Sequence, residues 1–175
     1  MFRADPASSY SHHQTIDKVT IAVDPYVTGD KVHVAFGKLD PYEYGILPVL
    51  VVIQNDGDKA VRLDRVKAVY NGPHGDQVDA TPANEVRYLQ GPRQPGVPSG
   101  PAGRLPIGKG KGKNPLNAWE IEGRGFAAQM LPAGQAASGF FYFQTGLQRG
   151  ATLYLSGLAD AKSGQELFYF EIPLE

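Results

Sequence analysis

The residues whose type and spacing come nearest to known chemistry are Lys109, Lys111 and Lys113, alternating with Gly110 and Gly112. Lysines in a glycine-rich run invite comparison with a phosphate-binding loop. Such a loop follows a buried strand, opens a helix, and places Ser or Thr directly after its lysine to hold Mg²⁺. Here Asn114-Pro115 follows and no strand-like run precedes, so nucleotide binding is set aside. What remains is three flexible point charges able to touch an anionic polymer or headgroup, weakly and with a steep salt dependence. Asn55-Asp56-Gly57-Asp58, with Asp64 beyond, has the look of a calcium loop. It lacks the alternating ligands before the glycine and the closing glutamate, and a hairpin turn accounts for it without a metal.

Other reactive types are scattered. His12, His13, His33 and His74 include one adjacent pair, and neighbours in an extended chain point to opposite sides. Ser99 and Ser163 sit in loop-like sequence with no nucleophile elbow around them. Glu120 with Glu122, and Asp40 with Glu43, are the pairings a hydrolase would have to set across a cleft, but none lies on an apolar background that would raise a pKa. There is no cysteine, which removes disulfides, thiolate zinc sites, Fe–S clusters and cysteine nucleophiles. No metal, no cofactor and no enzymatic activity are expected.

The aromatics are more informative. Along the last three strand-like runs, Phe141, Phe143, Leu153, Leu155, Phe168, Phe170 and Ile172 fall on one parity. Phe140, Tyr142, Tyr154 and Tyr169 fall on the other. If the first set is core, then Tyr142, Tyr154 and Tyr169 line an outer face, and tyrosine there offers apolar area with a polar tip to a sugar or a peptide. The competing account is that residues 82–131 fold over that face through Trp119, Phe126 and Met130. On either account Tyr142, Tyr154, Tyr169 and Trp119 are the candidate ligand-binding residues, with Lys109, Lys111 and Lys113 as anion contacts.

These residues need a scaffold, and the sequence describes one made of strands. Residues 47–55, Leu-Pro-Val-Leu-Val-Val-Ile-Gln-Asn, are apolar on both parities and too short for a typical helix, which suits a strand covered on both sides. Further strands are expected at 17–23, 31–37, 60–70, 77–80, 138–144, 151–157 and 166–174, the last three forming an antiparallel meander. The apolar parity shifts at Asp64-Arg65, which predicts a bulge or a corner between sheets. Thr81-Pro82 predicts one or two helical turns, and a short helix is expected near 125–130. Residues 91–115 are more than half Gly and Pro and carry no acid, so they read as a long mobile loop. Residues 1–14 read as a disordered leader and 15–175 as one domain with an insertion at 82–131. The expected fold class is all-β: an antiparallel β-sandwich of about eight strands with a short helical, Gly/Pro-rich insertion, which the resemblance described next makes immunoglobulin-like.

The strand 47–55, the turn Leu131-Pro132-Ala133-Gly134 before Gly139-Phe140-Phe141-Tyr142-Phe143, and the closing Phe170-Glu171-Ile172-Pro173-Leu174 together resemble the immunoglobulin-like domains of uncharacterised bacterial envelope proteins and lipoproteins. The resemblance spans residues 17–89 and 126–175. It implies a place in the periplasm or cell envelope, attachment to a membrane at most through a removed lipid anchor, and a binding or scaffolding role. The polar start of the chain fits a trimmed secreted protein. A formal net charge of -1 provides no field for nucleic acid, so no specific nucleic-acid binding is expected. The expected partner is a protein or a polysaccharide, and the expected state a monomer or weak oligomer. A carbohydrate-binding module using the outer tyrosines, and a hydrolase with carboxylates under the insertion, are the alternatives.

Overall fold

The computed structural model describes residues 2–89 and 114–175. The mobile loop expected at 91–115 falls almost wholly outside them, and Lys109, Lys111 and Lys113 lie outside them entirely. The central strand, β3 (Leu47–Asn55), is buried along nearly its whole length on both faces. Val49, Val51 and Ile53 point into one apolar layer, whereas Leu50 and Val52 point into another. That double burial is what its two-parity apolar pattern demands.

Around it lies an antiparallel sheet in the order β1 (His13–Ile16), β2 (Val19–Pro25), β3 and β8 (Ala136–Phe143). A second sheet runs β11 (Phe170–Pro173), β9 (Thr152–Ser156), β5 (Lys67–Asn71) and β6 (Gln77–Asp79). The inner faces of the two sheets meet in the main core, where Ile21, Val51, Ile53, Tyr70, Phe143 and Leu155 are fully enclosed. A small sheet of two-residue strands, β10 (Ala159–Asp160), β4 (Val61–Arg62) and β7 (Met130–Leu131), joins the margins. With β2, β3, β5, β6, β8, β9 and β11 as the principal strands, the first, second and fifth share one sheet and the rest share the other. The fold is an all-β sandwich with that immunoglobulin-like order. The corner expected at Asp64-Arg65 is present: β4 and β5 belong to different sheets, joined by a turn closed by Val66 N–H on Leu63 C=O at 3.2 Å.

Several local expectations are corrected. Residues 31–37 are not a strand but lie mostly within α1 (Gly29–Phe36), because Val32, Ala35 and Phe36 form one helical face and Val34 is 69% exposed. Thr28 is extended at the N-cap, and Gly37 at φ +66° ends the helix where a side chain would be strained. The second helix, α2 (Trp119–Arg124), ends immediately before the expected 125–130. The chain is extended from Gly125 because Phe126 N–H bonds Phe140 C=O at 3.0 Å and its ring stacks on Phe141. The expected turns after Thr81-Pro82 reduce to one 3-10 turn at Val86–Tyr88.

The strand expected over 166–174 is only Phe170–Pro173, and Phe168, assigned to the core by parity, is 66% exposed. Residues 2–14 are not a disordered leader. Ala7 is fully buried, Phe2 packs edge-on against Tyr26 at 6.1 Å, and β1 pairs with β2 through a two-residue turn at Asp17-Lys18, both at positive φ. No helix among the described residues is long and apolar enough to cross a membrane.

Candidate functional site

The outer face of the first sheet is closed. Leu50, Val52, Phe140 and Tyr142 project from it into a second apolar layer made by α1, α2 and the N-terminal segment. Tyr142 is 1% exposed, and its hydroxyl donates to Ile121 C=O at 2.7 Å. Burial pushes that hydroxyl's pKa far above its ordinary value. A phenol that is enclosed, satisfied and neutral holds α2 on the sheet and cannot meet a ligand. The insertion covers this face, as the competing account held, but through Val86, Leu116 and Ile121 rather than Trp119 and Met130. Trp119 is 71% exposed and stands beside Val34 in a shallow cleft between α1 and α2.

Among the described residues nothing covers the outer face of the second sheet. The meander of three C-terminal strands does not exist, since β8 lies in the first sheet and β9 and β11 in the second. Tyr142 is thereby separated from Tyr154 and Tyr169, which lie on the opposite side of the sandwich. Those two stack with ring centroids 5.1 Å apart and planes inclined at 29°. Tyr169 is 57% exposed and Tyr154 partly so. Strand register sets Glu171, Tyr154, Val69 and Asp79 in one row across the sheet. Thr152, whose hydroxyl donates to Glu171 Oε1 at 3.2 Å, and Lys67, within 3.9 Å of Asp79, flank that row. The arrangement is a sheet surface with an aromatic pair on it and hydrogen-bonding groups of both kinds around it. Such a surface can stack on a ring or an apolar strip and fix it with polar contacts.

The paired carboxylates do structural work. Asp40 accepts from Tyr42 N–H at 2.9 Å and Glu43 N–H at 3.4 Å, capping a turn, and Glu122 lies 3.4 Å from Arg87. Among the described residues no group of three His, Asp or Glu could hold a metal ion. The residues of the supposed calcium loop close a turn instead. Asn55 is 1% exposed, its Nδ2 donates to Lys59 C=O (2.8 Å) and Leu131 C=O (3.2 Å), and its Oδ1 accepts from Gly57 N–H (3.1 Å).

Sequence reasoning also missed a groove of about 890 Å³ over the far end of β3 and β8, with Phe2–Pro6 on one side and Gly123–Gly125 on the other. Its walls belong to segments read as leader and as helix, so no local pattern pointed to it.

Fold and surface together define a class: an immunoglobulin-like sandwich with one outer face roofed by helices and the other bare. No protein-family model matches the sequence, and no curated protein does. A solved structure titled "X-ray structure of Northeast Structural Genomics Consortium target SoR45" aligns over 90% of this chain and 88% of that one, at 10% identity and a TM-score of 0.39. That likeness is too loose to carry an argument about function.

Proposed function

We propose that this protein is a non-catalytic binding module of the bacterial cell envelope, and that its contact surface is the bare outer face of the second sheet. The observation that carries the reading is the Tyr154–Tyr169 stack on a face whose other outward side chains are, apart from Val69, mostly polar. Exposed aromatic rings on a strand contribute little to folding and much to association, where they supply contact area at low entropic cost. The stacked rings and the neighbouring Thr152, Glu171, Lys67 and Asp79 favour a polysaccharide over a globular protein partner, because a sugar chain presents ring faces and a continuous fringe of hydroxyls. Placement in the envelope is supported by the resemblance of strand 47–55 and of the turn at 131–134 to envelope domains.

Affinity electrophoresis in gels containing soluble cell-wall or plant polysaccharides tests the binding. Wild-type protein is expected to be retarded in at least one gel, and Tyr154→Ala with Tyr169→Ala to abolish retardation while leaving the thermal midpoint within a few degrees. Retardation in no gel, or retardation indifferent to both tyrosines, would reject the reading.

A further inference from the structure

One stretch of the edge strand β8 has main-chain groups that none of the described residues occupies. The Phe140 and Tyr142 carbonyls, which point away from β3, accept from Phe126 N–H at 3.0 Å and Thr81 N–H at 2.8 Å. Antiparallel alternation aims the N–H and C=O of Ala136 and Ser138 the same way. Among the described residues nothing hydrogen-bonds to those four groups. The covering chain begins abruptly at Gly139, where a Cβ would lie 2.4 Å from Phe126 Cα.

Free edges in soluble proteins are commonly protected by charge, proline or a bulge within the strand. Ala136, Ala137 and Ser138 provide no charge or proline, and this edge opens into the 890 Å³ groove. Val52 and Gln54 lie beneath the groove, and the small side chains of β8 keep it wide. Its charges are two arginines against one aspartate, Asp5. Arg124 is held with Nε donating to Ala35 C=O at 3.0 Å and its guanidinium over the Phe2 ring at 5.4 Å. Among the described residues neither Arg3 nor Arg124 is paired with a carboxylate.

We propose that this groove takes an extended, acidic peptide segment of a partner protein, which adds as a strand beside Ala136–Ser138 and places a carboxylate on Arg3 and Arg124. The open edge gives up to four main-chain hydrogen bonds and the direction of the strand, and the two guanidinium groups select for acid. This site is on the opposite side of the sandwich from Tyr154 and Tyr169 and stands independently of them.

The probe is a capped peptide alternating Val and Glu, titrated into ¹⁵N-labelled protein. Three companions are used: the same peptide N-methylated on the amides that face the edge, a Val/Lys version, and the protein variant Ala136→Pro. That variant removes an outward N–H without touching the bonds to β3. The expected result is chemical-shift change and slowed exchange at the amides of residues 136 and 138. The N-methylated peptide and Ala136→Pro should lose this, the Val/Lys peptide should bind at least tenfold more weakly, and Arg124→Gln or Arg3→Gln should weaken binding several-fold. Equal binding of the N-methylated or Val/Lys peptide would overturn the proposal, as would silence at these amides at millimolar peptide. So would protection of the same amides by self-association, which would make a second copy the occupant.

Discussion

Replacing Asn55 isolates one buried side chain and gives two numbers to check. Asn55→Ala removes two donated hydrogen bonds and one accepted. Each is worth about 1 kcal/mol net. Leu131 C=O keeps Val61 N–H as its partner in the β4–β7 ladder and Lys59 can turn to solvent, so no carbonyl is stranded. The expected loss is about 3 kcal/mol, or about 6–12 °C in thermal midpoint for a chain of this size. Asn55→Asp keeps the shape but puts an acceptor where two carbonyls require a donor. Burial and those carbonyls raise the folded-state pKa of the new carboxyl above its unfolded value of about 3.9. The neutral acid, which can donate once, is the form the fold prefers. Below about pH 4 the variant should therefore approach wild type. As pH rises through the folded-state pKa it should lose about 1.4 kcal/mol for every unit by which that pKa is raised. Urea unfolding of wild type, Asn55→Ala and Asn55→Asp at pH 4 and pH 7.5 measures both effects. A gap between wild type and Asn55→Asp that is the same at the two pH values would refute the hydrogen-bond assignment.

Tyr142→Phe should cost about 1 kcal/mol through the lost bond to Ile121 C=O, read by chemical denaturation. Because burial raises the Tyr142 pKa above its ordinary value, the neutral phenol stabilises the fold fully below about pH 10, and that stability is lost as pH rises beyond it. The variant should unfold less steeply in alkali than wild type, although Tyr26 and Tyr70, also raised by burial, keep some slope. Gly139→Ala forces a methyl onto the backbone of Phe126 and should destabilise by about 1–3 kcal/mol; calorimetry checks it. Trp119→Ala should change the thermal midpoint hardly at all, within about 0.5 kcal/mol, because the ring is 71% exposed.

The parts of the fold that were legible in the sequence are those where burial repeats at the period of the element. Strand 47–55 announced itself because both of its faces are covered, and the corner at Asp64-Arg65 because a change of sheet shifts the apolar parity. Helix α1 was misread because Val32, Val34 and Phe36 satisfy a period of two while Val32, Ala35 and Phe36 satisfy the helical one. The helical stop at Gly37 could have broken the tie. The N-terminal segment gave no period at all, since it docks through single residues, Phe2 and Ala7, dropped into gaps between α1 and the sheet. The hairpin at Asp17-Lys18 lacks the glycine that normally marks such a turn. At the candidate site the parity of every tyrosine was correct, yet their grouping was not. Which sheet a strand joins is a long-range choice, and the eight residues between Phe143 and Thr152 serve a crossing as well as a hairpin.

That distinction bears on why one aromatic pair is exposed. The outward residues of β3 and β8 include Leu50, Val52, Phe140 and Tyr142, so the first sheet cannot face water and must be roofed. The outward residues of β5 and β9 are Lys67, Val69 and Asn71, then Thr152, Tyr154 and Ser156, an alternation that specifies solvent. This alternation asks for no cover, and the described residues supply none. Tyr154 and Tyr169 thus sit on a face whose pattern does not require large aromatic rings, although their stacking adds about 1 kcal/mol to the sheet. Two large stacked rings on such a face are not explained by the interior, and the binding role proposed above would give them a physical reason.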